Sequence, residues 1–425
     1  MPNKTFFTYD EQIEKLEKEK QLVISDPEFA KNTLQKLSYF SLIGGYKDLF
    51  KHKPSGNYLH GVTFEEITAF YYFDEELRTL FLKYILHVER QLKSMLSYYF
   101  CEKYGEQQTA YLTAGNYNYT RRNQSKINRL ITTLSKTIAL PSNYSYITHH
   151  ATVYGNVPLW VATNALTFGQ ISKMYQYTTS DIRTKVSLNF ANMSEVQLHQ
   201  LIRILASCRN VCAHNERLYS FQVNEAIPNT VLHSKLQLPQ KKGQYAIGKK
   251  DLFAVVIALR YLIDNQEFKQ FKAELKRLIH SILKNCPHIS QELLFSKMGF
   301  PETWEKLFAI KNSCFCVIYD LQYVWLCCVA CEAHGQWSFM RELRSIIEFV
   351  KVEVCPKLWG KPYFISSFIY FLPNSLYQKL DFISVFSCSV TLNFASKPDN
   401  LFLYTLIFLS SNCICSLNCL LVSIT

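Results

Sequence analysis

Two residues with four others between them, Arg209 and His214, have side chains that could act together on a phosphate ester. A histidine accepts and donates protons near neutral pH, because its ordinary pKa is about 6.5. An arginine is permanently charged, and its planar donors suit a phosphate whose negative charge grows during reaction. Metal-free cleavage of RNA needs both functions, since the 2′-hydroxyl loses a proton while the leaving 5′-oxygen gains one.

The spacing of this pair leaves two interpretations open. Five steps along a straight α-helix rotate by about 500°, so the two side chains would lie about 140° apart. They converge only if the helix bends, begins or ends between them, if the arginine reaches around, or if two copies of the motif meet across a dimer axis. The alternative is structural: a histidine favoured by the dipole at a helix end, beside a solvated arginine.

The composition of the 425-residue chain favours folded domains, with 48% hydrophobic and 19% charged residues. Lys and Arg outnumber Asp and Glu by 46 to 34, and nearly all of this excess lies in residues 1–308. A basic body of this kind favours a polyanionic partner such as nucleic acid. No phosphate-binding glycine loop, zinc-protease motif or hydrolase nucleophile motif supports those enzyme classes. The first residues lack an apolar signal segment, so we expect a cytoplasmic protein with reduced cysteines.

Helical periodicity and capping residues dominate residues 1–308 and predict an all-α fold. A polar, aromatic loop is predicted for residues 141–157, where His149 and His150 are adjacent but lack a third metal ligand. The predicted helices begin near Asp10, Asp26, Thr63, residue 123, Pro158, Ser180, Ser194, Asp251 and Glu267.

The character of the chain changes near residue 309, after which ten of the 14 cysteines and few charges occur. We therefore predict an N-terminal helical region (1–62), a helical core (63–308) and a Cys-rich apolar extension (309–425). The extension is interpreted as poorly ordered or adventitious, with a small ordered domain as the alternative. Membrane contact through residues 401–425 is not favoured, because Ser and Asn dilute the segment and flanking cations are lacking. Cys328, Cys331 and His334 lack a second ligand pair, so no metal site is expected.

The segment SCRNVCAHNERLY (residues 207–219) resembles the Rx4–6H signature of HEPN-superfamily ribonucleases, including the polar residue after the arginine. The surrounding chain is similar to the Abi-like (AbiD/AbiF) abortive-infection proteins of bacteria. The similar stretches run in order from about residue 8 to residue 308, among them ITAFYYFDEELRTLFLKYILHVERQLKS, VPLWVATNALTFGQISKMYQ and KMGFPETWEKLF.

This resemblance implies a HEPN-like four-helix core with additional N-terminal and C-terminal helices, and a role in phage defence through RNA. By match to the motif, Arg209 and His214 are the candidate catalytic pair, with Asn210 as the orienting neighbour. No cofactor and no metal is implied. Two activities stay open: a metal-independent endoribonuclease working as a homodimer, and a non-cleaving RNA-binding module held with a small structured RNA.

Two further sets of residues are candidates for supporting roles. Glu89 could accept a hydrogen bond from Arg209 or His214, although a solvated i,i+4 pair with Lys93 is the simpler interpretation. A basic surface with aromatic residues nearby in sequence could bind RNA, or it could be an ordinary charged surface. The predicted RNA-binding cations are Lys51, Lys53, Arg121, Arg122, Lys126 and Arg129.

Overall fold

The computed structural model describes residues 5–52, 55–190 and 193–308, and three strands between residues 386 and 416. The chain divides into two compact units, Met1–Lys311 and Asn312–Thr425. The described part of the first unit is mostly helical, which confirms the all-α prediction. In the second, the described strands β3 (Phe386–Ser396), β4 (Asn400–Ser411) and β5 (Ile414–Ser416) form an antiparallel sheet in the order β3-β4-β5. None of the helices in the described ranges is long and apolar enough to cross a lipid bilayer.

The described part of the first unit contains fifteen α-helices, a short hairpin and several single turns. The helices are α1 (Tyr9–Glu14), α2 (Pro27–Leu37), α3 (Tyr39–Tyr46), α4 (Phe64–Tyr104), α5 (Gln108–Leu112), α6 (Gln124–Ile138), α7 (Ser145–Val153), α8 (Leu159–Ala162), α9 (Phe168–Tyr177), α10 (Ser180–Leu188), α11 (Glu195–Ala213), α12 (Val231–Lys235), α13 (Leu252–Leu262), α14 (Asn265–Asn285) and α15 (Gln291–Met298). A π-helical turn (Lys15–Glu19) continues α1, the hairpin pairs β1 (Gln240–Lys241) with β2 (Gln244–Tyr245), and 3₁₀ turns occupy Lys47–Leu49, Ala114–Asn116, Thr163–Ala165 and Trp304–Phe308.

Side-chain caps begin the helices that matter for the site. The Asp26 carboxylate accepts from the backbone N–H of Phe29 and starts α2, as the sequence predicts. The Thr63 hydroxyl does the same for α4. Ser194 and Gln197 form a reciprocal capping box that starts α11. Each cap satisfies a backbone donor that the first helical turn would otherwise leave unpaired.

Helix α4 organises the first unit. Its 41 residues span about 60 Å, and it packs against α3, α8, α9, α10, α11, α13 and α14. The buried stripe that makes these contacts includes Phe70, Leu77, Phe81, Ile85 and Leu92. Spacings of four and seven residues place this stripe along one side of the helix, as the apolar periodicity predicts.

The structure corrects three sequence-based expectations. The loop predicted for residues 141–157 is wrong, because α7 forms there around the fully buried Ile147, whose single apolar anchor gives no periodic pattern. The helix predicted from Pro158 is interrupted: α8 ends at Ala162, and Thr167 caps the separate helix α9. The last predicted helix begins near Glu267, whereas the structure has one more short helix, α15, after it.

A buried carboxylate on α4, that of Asp74, connects three parts of the unit. It accepts hydrogen bonds from the Tyr46 hydroxyl (2.8 Å), the Arg78 guanidinium (3.0 Å) and the backbone N–H groups of Leu218 (3.0 Å) and Tyr219 (2.7 Å). Burial raises the pKa of the Asp74 carboxyl above its ordinary value, while Arg78 and the other donors oppose that shift. The carboxylate thereby joins α3, α4 and the segment that follows α11.

Ending the chain after Lys311 should leave a helical protein that unfolds cooperatively. The first unit has its own core, which Trp304 and Leu307 help to close. Far-ultraviolet circular dichroism and a denaturant titration measure this. A chain ending after Phe300 is the matched control and should unfold at lower denaturant, since it lacks both buried side chains. Loss of the helical signal in the longer truncation would show that residues 312–425 complete the fold.

Replacing the central carboxylate, Asp74→Ala, should lower the free energy of unfolding by about 3–5 kcal/mol, the usual cost of leaving a buried charge unpaired. The change strands the Arg78 guanidinium and two backbone donors in the interior. Urea denaturation followed by circular dichroism gives the value. The exposed Asp10 serves as control, because Asp10→Ala removes only a surface pair with Lys31 and should change the midpoint little. Equal midpoints for the two variants would contradict the anchoring role of Asp74.

Candidate functional site

The motif lies where α11 ends. Arg209 is inside the helix, and His214 is its C-cap, with the backbone N–H of His214 donating to the carbonyl of Asn210 at 2.9 Å. The next residue, Asn215, has φ +57°, the left-handed conformation that commonly terminates a helix. One of the conditions that the spacing requires, a helix end at the motif, is therefore present.

The two candidate catalytic side chains differ in their surroundings. His214 is exposed, and the described residues provide no hydrogen bond to its ring. Asn210 is exposed as well, while Arg209 is half-buried. Cys208 and Cys212 of the same motif are buried in the core. Burial raises the pKa of the Cys208 thiol well above its ordinary value. The motif thus has its cysteine side chains on the side of α11 that faces the core and its polar side chains on the side that faces solvent.

Glu89 of α4 lies opposite Arg209. Its Oε2 atom is 3.7 Å from Nε of Arg209, and its Oε1 atom is 2.9 Å from Nζ of Lys93. Glu89 is only 5% exposed, so the pair with Lys93 is buried rather than solvated, which corrects that part of the sequence-based interpretation. One carboxylate therefore holds two cations, and within the described residues Oε2 of Glu89 and Nε of Arg209 form no hydrogen bond.

The segment after the motif is tied to α3 and α4. The Asn215 amide donates to the Tyr71 hydroxyl at 3.4 Å, and the Arg78 guanidinium donates to the carbonyl of Glu216 at 3.3 Å. Arg217 donates to the carbonyl of Gly45 at 3.2 Å. With the two bonds to Asp74, these contacts fix the chain within five residues of His214.

Sequence reasoning missed the residues of α4 that hold this segment, Tyr71, Asp74 and Arg78. The sequence does indicate that Asp74 is buried, because it falls between Phe70 and Leu77 on the apolar stripe of a long helix. A charged residue at such a position is rarely buried without partners. Apart from Arg78, one turn along the same helix, those partners lie 28 to 145 residues away in sequence, and their identity is a tertiary property.

The predicted RNA-binding cations are distributed over separate elements. Four of them are exposed at or near the start of α6, and no carboxylate of the described residues lies within ion-pair distance of them: Arg121, Arg122, Lys126 and Arg129. Lys51 lies elsewhere, with its Nζ 4.8 Å from the Tyr58 ring centre. Burial lowers the pKa of Lys51, and the charges of Lys47 and Lys20 add to this effect. Lys53 lies outside the described residues.

Metal-ligating residues do not cluster in the part of the chain that the structure describes, where no three His, Cys, Asp or Glu side chains could share an ion. His149 and His150 lie on α7, with ring centres 5.8 Å apart and Tyr154 beside them. Cys328, Cys331 and His334 lie outside the described residues.

Comparison with known proteins gives one match. The model of the family described as "Abi-like protein" matches residues 32–220, a range that contains α4, α8, α11 and the motif at residues 209–214. No curated protein and no solved structure matches the chain. Over residues 32–220, which hold Asp74, Glu89, Arg209 and His214, the chain is therefore similar to the Abi-like protein family.

Proposed function

We propose that this chain is a bacterial abortive-infection protein that cleaves RNA without a metal ion, using Arg209 and His214. The family match supports an abortive-infection protein. The observation that carries the rest is an exposed histidine at the end of α11, five residues after an arginine that faces a buried carboxylate. This combination provides a proton-transfer group open to substrate and a fixed positive charge.

Arg209 would stabilise the phosphate during reaction. Its Nε atom is buried towards Glu89, so the 28% of the side chain that is exposed lies on its other atoms. Those atoms include the donors that suit phosphate oxygens. Glu89 acts as a positioning residue here: it orients the guanidinium and touches no reacting atom.

His214 would move protons. As general base it takes the proton of the 2′-hydroxyl, whose oxygen then attacks the neighbouring phosphorus. The bond from phosphorus to the 5′-oxygen breaks, and this oxygen receives a proton from an imidazolium. The products are a 2′,3′-cyclic phosphate and a 5′-hydroxyl, and no metal, oxidant or cofactor takes part.

A homodimer would supply both histidine forms that this step uses, one neutral and one protonated. The reaction uses one group that accepts a proton and one that donates a proton, whereas each motif supplies one histidine. A two-fold axis near the exposed end of α11 would bring a second His214 to the same phosphate, as a symmetric dimer presents the same surface twice.

A second candidate function is a module that binds RNA without cutting it. The observation that favours it is the group of exposed cations at α6, because Lys126 and Arg129 lie on one side of the helix and Arg122 lies in the turn just before it. Unpaired cations of this kind bind phosphates whatever the chemistry at His214. A small structured RNA is the partner that we propose for this alternative.

Purified protein mixed with total cellular RNA in EDTA should produce new RNA ends that carry 2′,3′-cyclic phosphate and 5′-hydroxyl groups. The reason is that Arg/His chemistry transfers protons and needs no metal. End-specific ligation and sequencing identify the groups. Cleavage that requires Mg²⁺, or ends with 5′-phosphate, would contradict the mechanism. RNA that is bound tightly and stays intact would favour the second candidate.

The His214→Ala variant should lose about 10²- to 10⁴-fold in cleavage rate, the usual contribution of a general acid or base, while its RNA affinity changes little. The Arg209→Ala variant should lose both rate and affinity, and its affinity should depend less steeply on salt, by about one unit in the slope against log salt concentration. Single-turnover cleavage and fluorescence anisotropy at several salt concentrations measure these quantities.

Matched controls come from α14, where His280→Ala and Arg277→Ala alter exposed residues of the same types outside the motif. A His214→Ala protein that folds normally and cuts RNA at the unaltered rate would disprove the catalytic assignment. Mixing the His214→Ala chain with the unaltered chain tests the dimer as well. If two His214 side chains act on one phosphate, the mixed dimer is inactive and the rate falls more steeply than the fraction of unaltered chain, whereas a proportional fall together with a monomeric mass would exclude the shared site.

A further inference from the structure

A cleft of about 540 Å³ opens beside Glu89, between α4 and residues 160–164. This volume falls within the ~300–1,000 Å³ that ligand sites usually have. On the α4 side, Leu86, Arg90 and Ser97 follow one another at intervals that keep them on the same side of the helix. Trp160 of α8 forms the opposite wall. We call this feature the Trp160 cleft.

Aromatic rings are exposed at the Trp160 cleft. Trp160 is 48% exposed, and Tyr98 on the α4 side is 62% exposed. Rings of this size usually contribute to a core or an interface, because each has a large apolar surface to cover. A nucleobase covers such a ring by stacking, whichever base it is.

The charged groups of the Trp160 cleft complement a nucleotide. Arg90 is exposed, and no carboxylate of the described residues lies within ion-pair distance of its guanidinium, which is free to meet a phosphate. Glu89 also lines the cleft, and its Oε2 atom is buried and accepts no hydrogen bond from the described residues. A buried acceptor without a donor is costly, so a ligand that brings a hydroxyl or amino group stabilises it.

The Trp160 cleft is connected to both parts of the proposed RNA surface. Glu89 lines the cleft and lies 3.7 Å from Arg209. Helix α8, which bears Trp160, packs against α4 and also against α6, where the exposed cations lie. An RNA strand that places a phosphate at Arg209 would therefore have a ring to stack on and further cations along its path.

We propose that the Trp160 cleft binds one nucleotide of single-stranded RNA next to the phosphate at Arg209, with its base on Trp160 and its phosphate on Arg90. This assignment rests on the proposed function, because it places the nucleotide by reference to Arg209. Stacking supplies most of the affinity at this subsite and makes it tolerant of base identity.

The test uses the full chain with His214→Ala, so that the RNA stays intact, and a short, fluorescein-labelled, unstructured RNA. Adding Trp160→Ala should weaken binding about 5- to 150-fold, the range that corresponds to the loss of one stacked base. Trp160→Phe keeps a ring and should restore most of the affinity. Tyr154→Ala is the control, because Tyr154 is exposed at the end of α7 and does not line the cleft. A strand in which the bases are removed should bind the Trp160→Ala protein and its parent equally.

The outcomes separate this proposal from the cleavage mechanism. Equal affinity of the Trp160→Ala and Tyr154→Ala proteins overturns the cleft, even if the unaltered chain cuts RNA. Equal losses for the strands with and without bases overturn it too, since stacking is then not the cause. If the unaltered chain leaves RNA intact while Trp160→Ala weakens binding, the cleft stands and the cleavage mechanism falls. If the unaltered chain binds no RNA, both are wrong.

Discussion

The buried carboxylate of Asp74 is the constraint on which the rest of the first unit depends. A charge in the interior is tolerated only where partners replace the water that it has lost. Asp74 obtains those partners from Tyr46, Arg78, Leu218 and Tyr219. Because they come from three segments that are distant in sequence, the carboxylate is satisfied only when α3, α4 and the chain after α11 are all in place.

The same helix provides a second buried carboxylate about four turns further on. Glu89 faces Arg209, while Asp74 holds the chain that follows His214. From Arg209 to Leu218 the chain passes from Glu89 back to Asp74, so it runs opposite to α4 here, and the two carboxylates are fixed points at either side of the motif. The geometry at residues 209–214 is thus set by α4 as much as by α11.

The sequence predicted local structure well wherever a short-range interaction determines it. The caps at Asp26, Thr63 and Ser194 are read from residues three apart, and the structure has the corresponding helices. The prediction of a loop at residues 141–157 was wrong, because one buried isoleucine anchors α7 there through tertiary contacts. For the site, residue types and spacing selected Arg209 and His214, and their catalytic role stays a prediction. Glu89 was named together with Lys93 and Arg209, and the structure has both cations beside it. The bonds of Asp74 could not be predicted, because they join residues up to 145 positions apart.

The sharing of one carboxylate by two cations has an electrostatic consequence. Glu89, Lys93 and Arg209 together carry a net charge of about +1 when all three are ionised. A phosphodiester in its resting state carries one negative charge, and the five-coordinate species formed during transfer carries about two. In the proposed cleavage, the trio would therefore neutralise the resting ester and attract the doubly charged species more strongly. Such a difference in attraction lowers an activation barrier, whereas an equally strong hold on both states would only slow the departure of products.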